Sequence, residues 1–143
     1  MRLRRKNADF RLADVAQQVV GGFLLAGPFV VTEEVWTLAA DMGAANAALT
    51  ALVVAGIGYG ALYEADTNRD AEDEQEVAGV PVRFVTLMIV AFGSVAALAL
   101  LFDAPDTFVN ENGAVAFAGV TFKAITVGAV FSVVGAATAD SVL

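Results

Sequence analysis

The chain has 143 residues, of which 58% are hydrophobic and 17% charged, with a mean hydropathy of +0.70. A soluble domain is about 45–50% apolar and about 25% charged, so an ordinary soluble globule is excluded, and so is disorder, which requires low hydrophobicity. There is no Cys and no His, which removes disulfides, Cys/His zinc or haem sites, thiol nucleophiles and every His-based triad.

A helix that crosses a bilayer needs about 20 predominantly apolar residues, and four stretches supply them. The first, about 14–40, is uncharged from Val15 to Thr32 and continues past Glu33 and Glu34 through Val35–Ala40. It is too long for a signal-peptide core and carries Pro28 in its middle, so it is expected to be retained as a permanent helix. The second, about 43–63, is uncharged from Met42 to Tyr63. The third, about 81–102, is uncharged from Phe84 to Phe102, and the fourth, about 113–138, is uncharged except for Lys123. A soluble four-helix bundle would need a polar stripe on every helix. Between Ala47 and Tyr63, and between Val85 and Phe102, the only polar side chains are Thr50, Thr86, Ser94 and two tyrosines. The length fits one domain, and the predicted fold is all-α: a polytopic bundle of four transmembrane helices.

Charge sets the threading. Arg2, Arg4, Arg5, Lys6 and Arg11 precede span one, Arg69 and Arg83 flank the loop between spans two and three, and the other two loops have no basic residue. Lys and Arg bias loops toward the cytoplasm. Both termini and the acidic loop 64–79 are therefore expected to be cytoplasmic, in the cell membrane. Trp36, Tyr59 and Tyr63 fall where aromatic belts form.

The net charge is -8, with 16 acidic and 8 basic residues. Acidic exposed segments with only two Lys suit a halophilic setting, where high charge preserves solubility under strong screening. The same balance argues against nucleic-acid binding, which needs a basic footprint. Within the loop, Glu64–Glu76 holds seven acids and one Arg. Asp66, Asn68, Asp70, Glu72 and Glu74 follow calcium-loop spacing, but Ala71 and Val77 replace the turn glycine and the bidentate Glu. A solvated linker is the leading reading of this run, with weak cation capture as the other. Gly79 and Pro81 punctuate the approach to span three.

Charged groups at membrane depth cost about 2.5–3.5 kcal/mol even on permissive scales and mark sites by default. Glu33 and Glu34 lie roughly 10 Å inside the outer end of a continuous first helix. Antiparallel threading brings Lys123 to a similar depth, so a Glu–Lys pair is geometrically open. Gln18, Gly22, Ala26 and Glu33 share a helical face; so do Gly119, Lys123 and Thr126. Pro28 kinks helix one and frees the Leu24 carbonyl. A broken helix beside intramembrane carboxylates is how some transporters build cation or proton sites. The candidate polar site is thus Glu33, Glu34, Lys123 and Gln18, with Pro28 as the kink. Against it stand an interfacial Glu33/Glu34 pair, a snorkelling Lys123, or a purely structural ion pair. Gly56 and Gly60 form a GxxxG, which serves intrachain packing or dimerisation equally well. No metal site or cofactor is expected.

Gln17-Gln18-Val-Val-Gly-Gly-Phe-Leu-Leu-Ala-Gly-Pro-Phe-Val-Val-Thr-Glu-Glu-Val-Trp36 resembles the opening segment of the DUF2391 family of integral membrane proteins, in its short haloarchaeal form. The likeness is strongest over Asp14–Trp36 and elsewhere extends to pattern alone. It implies a multi-pass membrane protein and brings no catalytic residues. Longer members have more spans, which points to self-assembly of a four-span unit. The expected function is a small cation or proton transporter or channel-like subunit acting as a homo-oligomer, with an ion as substrate. The alternative is a structural or accessory membrane subunit without transport of its own. An enzyme is not expected.

Overall fold

The computed structural model describes residues 10–64, 70–71, 76–110 and 113–142. The basic stretch Arg2–Lys6 and most of the acidic run, including Asp66, Asn68, Arg69, Glu72 and Glu74, lie outside the described residues, and with them the calcium-like spacing. In chain order the elements are α1 (Leu12–Val30), α2 (Glu33–Asp41) and α3 (Ala44–Tyr59), which runs into a π-helical turn at Gly60–Glu64. Strands β1 (Glu76–Val77) and β2 (Val80–Pro81) follow, then α4 (Val82–Leu101), α5 (Ala104–Phe108) and α6 (Ala114–Val142). Four segments are long and apolar enough to cross a membrane: Leu12–Val30, Ala44–Glu64, Val82–Leu101 and Ala114–Val142. At 1.5 Å per residue they run from about 28 to about 43 Å, against a hydrocarbon core of about 30 Å. The fold is an all-α four-helix membrane bundle.

The polarity is the reverse of a soluble bundle's. Leu52, Ile89, Leu100 and Leu101 are 66–74% exposed, while Gln18, Arg83, Ser94, Thr126, Ser132 and Asp140 are buried. Large apolar side chains that coat every outward face need an apolar solvent. Inside, small residues let the backbones meet, since lipid offers no hydrophobic drive between helices. A Cβ on Gly21 would overlap the carbonyl of Gly135, and one on Gly135 would overlap that of Gly21. One turn along, the Ser132 hydroxyl donates to the Gly22 carbonyl at 3.1 Å. Helix α6 packs against α1, α2, α3 and α4 and is the axis of the bundle.

The first span departs from expectation. It is not one kinked helix over 14–40 but two helices, with a break at Val31–Thr32. Pro28 sits inside α1 without an N–H to offer Leu24. Thr32 is extended (φ -103°, ψ 136°), and its hydroxyl turns back to the Phe29 carbonyl at 3.0 Å. The Val30 carbonyl, stranded by the break, accepts the indole N–H of Trp36 at 2.9 Å. Trp36, expected in an interfacial belt, is therefore only 2% exposed. Its ring lies 6.1 Å from that of Phe108. Glu33 and Glu34 begin α2, where carboxylates suit the positive end of the helix dipole.

A two-residue hairpin leads into α4. Val77 pairs with Val80 and Glu76 with Pro81, and both turn residues have positive φ, Ala78 at 55° and Gly79 at 83°. That is the type I′ geometry a two-residue loop demands. Tyr59 stacks obliquely on Tyr63 at 5.0 Å and edge-on to Phe84 at 5.7 Å, tying α3 to the start of α4.

Between α4 and α5, Asp103 takes the left-handed conformation (φ 57°). A side-chain hydrogen bond with Asp106, and then that residue's negative charge, hold the Asp103 carboxyl above the ordinary aspartate range. The raised value means the folded chain takes up this proton more readily than the unfolded chain. The contribution to stability is present below the ordinary value and is lost as pH rises through the folded one. In a carboxyl-carbon NMR titration, Asp103 is expected to titrate above a free aspartate and to return to the ordinary value in Asp106→Asn. An ordinary value in the unmodified protein would contradict this.

Candidate functional site

The four residues singled out from the sequence do not form one centre. Glu33 and Glu34 are exposed at the start of α2. Lys123 is half-buried, and its Nζ donates to the Met42 carbonyl at 2.7 Å, closing the C-terminal end of α2. Among the described residues no ion pair joins Lys123 to either glutamate; the break at Val31–Thr32 turns Glu33 out of the Gln18–Gly22–Ala26 face. Those other three are all buried. Gly119 is exposed, while Thr126 is buried and donates to the Phe122 carbonyl at 2.9 Å.

Gln18 belongs to a different cluster, at the opposite end of α1. Asp14 and Gln18 stand one turn apart near the start of α1, Arg83 is the second residue of α4, and Asp140 lies in the last turn of α6. The Arg83 guanidinium reaches Asp140 Oδ1 through Nη1 at 2.7 Å and Asp14 Oδ2 through Nη2 at 3.3 Å. It also lies 4.9 Å from the centroid of the Phe10 ring, within cation–π range. Asp14 Oδ2 accepts the backbone N–H of Arg11 at 2.9 Å, so one carboxylate caps α1 and holds Arg83. Gln18 Nε2 donates to Asp140 Oδ2 at 2.9 Å and to the Arg83 carbonyl at 3.4 Å.

The amide orientation follows from this pattern, because a flipped amide would set its oxygen against the Asp140 carboxylate. Gln18 Oε1 then accepts no hydrogen bond among the described residues, although the side chain is fully buried. A buried acceptor without a donor costs about 1–3 kcal/mol. The arrangement suits a small donor or cation at that oxygen, beside a charged network joining three helices. Deeper in the bundle, Ser132 and Ser94 converge on Gly22, and Thr126 and then Lys123 lie farther along α6.

Arg83, Asp140 and Asp14 escaped the sequence reading, which weighed Arg83 only as a loop charge. The signal was available. Each residue abuts a charge-free run, and the threading already placed the start of spans one and three and the end of span four on one side. Two acids and one base at three converging span ends predict a network.

No protein-family model matches the chain, and no significant match was found among curated proteins or solved structures.

Proposed function

We propose that the chain is a small cell-membrane transport protein or channel-like subunit for a proton or monovalent cation, acting as an assembly of copies, with Asp14, Gln18, Arg83 and Asp140 as its polar centre. The observation that carries this reading is the buried Gln18 Oε1, which has no donor among the described residues and lies beside the Asp140 carboxylate. Polar groups on the interior face of the bundle at successive depths, Ser132, Thr126 and Lys123, support it further. The interior between them is closed by the α1–α6 contact at Gly21 and Gly135, so passage requires those helices to part. Exposed Glu33 and Glu34 at the far end serve to gather cations. The bias of basic residues puts both termini and the acidic loop in the cytoplasm, and the acidic composition fits a high-salt interior. The likeness of Asp14–Trp36 to the DUF2391 family adds a multi-pass setting and no chemistry.

The test is flux in proteoliposomes under imposed proton, sodium and potassium gradients. The unmodified protein is expected to conduct one of them, and Asp140→Asn or Gln18→Leu to reduce that flux by at least about tenfold, the loss of one good hydrogen bond to a charge. Unmodified protein no faster than empty vesicles in all three gradients would overturn the reading. The tight Gly21–Gly135 packing favours the second reading in that event: an accessory subunit whose charged end fastens three helices.

A further inference from the structure

Where α1, α4 and α6 meet, an acceptor without a donor stands beside a carboxylate. Gln18 is fully buried, and its Oε1 accepts no hydrogen bond among the described residues. Its Nε2 donates to Asp140 Oδ2 at 2.9 Å. The oxygen and nitrogen of a planar amide are about 2.2 Å apart, so Gln18 Oε1 lies within about 5 Å of that carboxylate oxygen. One ion with oxygen contacts of about 2.3–2.6 Å bridges a pair that close. Carboxylate and amide oxygens select a hard cation. Calcium, with two charges and about six to eight oxygen ligands, asks for more than one carboxylate and one amide. A proton does not settle on an amide oxygen. The chemistry fits an alkali-metal cation.

The same carboxylate already holds a positive charge, and that charge is tethered to the chain. Arg83 Nη1 lies 2.7 Å from Asp140 Oδ1. Two positive charges a few ångströms apart in a buried site repel strongly, so ion and guanidinium compete for Asp140. Arg83 has a second anchor. Its Nη2 reaches Asp14 Oδ2 at 3.3 Å, and the Phe10 ring centroid lies 4.9 Å from its guanidinium carbon. The Asp14 side chain is 14% exposed and that of Asp140 fully buried, so this anchor is the one nearer water. Arg83 opens α4, and Asp140 stands in the last turn of α6. Giving up Asp140 therefore undoes an ion pair between those helices, at the same end of the bundle as the Gly21–Gly135 contact that must part for passage.

We infer that Asp140 and Gln18 form the site of an alkali-metal cation, and that Arg83 is its tethered competitor, holding the site in the closed arrangement and yielding it to the ion. The inference rests on the transport reading and names the class of its ion and the residue that gates it.

The test is equilibrium binding of radioactive sodium to the purified full chain in mild detergent, at fixed pH, with choline chloride holding the ionic strength constant. The unmodified protein is expected to bind weakly, because the site is open only for the fraction of time Arg83 is away. Arg83→Gln should bind at least about tenfold more tightly even though it is less stable. A purely structural arginine would lower both stability and binding. Adding Asp140→Asn or Gln18→Leu to Arg83→Gln should abolish the gain, and potassium should displace sodium where choline does not. Should Arg83→Gln fail to fold, the unmodified protein decides. Sodium should raise its unfolding temperature above that in choline, read by Trp36 fluorescence, and should lose that effect in Gln18→Leu. Binding unchanged or weaker in a folded Arg83→Gln, binding that survives Asp140→Asn, or no sodium effect on unfolding, the result for a water at Gln18, would each overturn the inference. Flux in the unmodified protein without tighter binding in Arg83→Gln removes the competitor and leaves the transport reading; tighter binding without flux does the reverse.

Discussion

Gly21→Ala, the smallest change available, is expected to destabilise the bundle by about 3 kcal/mol or more, and Gly21→Leu to prevent it from forming. Overpacking a side-chain core costs about 1–3 kcal/mol because rotamers and neighbours give way. Here nothing can give by rotation. The new Cβ would fall on the backbone carbonyl of Gly135 and 2.7 Å from Ala139 Cβ. Helices α1 and α6 would have to separate, which would pull the Ser132 hydroxyl off the Gly22 carbonyl and disturb the Gln18–Asp140 bond. The single tryptophan, Trp36, is buried and reports unfolding by fluorescence in mixed micelles. Gly119→Ala is the control: none of the described residues lies within 4 Å of the added Cβ, and alanine favours helix by about 1 kcal/mol. Equal effects at Gly21 and Gly119 would refute the close-contact account.

Arg83→Met carries the second large effect, an expected loss of about 3–5 kcal/mol. Removing one partner of a buried ion pair leaves the other charge desolvated and uncompensated. Arg83 is 4% exposed, and the Asp140 carboxylate beside it is fully buried. Arg83→Lys should recover only part of the loss, because an ammonium cannot fork to Asp140 and Asp14 as a guanidinium does. Arg83→Met combined with Asp140→Leu should recover most of it, since the buried charge then disappears with its partner. Denaturation of the three variants decides between an ion pair and mere packing. Arg83→Met within about 0.5 kcal/mol of the unmodified protein, the range of a neutral surface change, would contradict the network.

The four spans were legible because length and hydropathy alone distinguish a lipid-solvated helix, although the first ends at Val30 rather than near residue 40. The interior face of α1 at Gln18, Gly22 and Ala26 was legible from periodicity. The break at Val31–Thr32 was not. Pro28 announces a kink, but the exit depends on Thr32 bonding back to Phe29 and on Trp36 reaching the Val30 carbonyl, contacts between residues three and six apart. That break turned Glu33 and Glu34 outward, and Lys123 went to the Met42 carbonyl instead of a carboxylate. Hidden in the same way was the pairing of Arg83 with Asp140, 57 residues away in sequence. The GxxxG at Gly56 and Gly60 was ambiguous from sequence because inward and outward helix faces carry the same small residues.

Thiol labelling with a membrane-impermeant reagent tests most directly whether lipid surrounds these helices. Val142→Cys and Glu76→Cys should react from one side of sealed vesicles, Asp41→Cys and Asp106→Cys from the other. Leu52→Cys, at a position 67% exposed in the protein, should react from neither until detergent is added. Rapid labelling of Leu52→Cys in intact vesicles, or all four end positions reacting from one side, would contradict a bundle that crosses the bilayer four times.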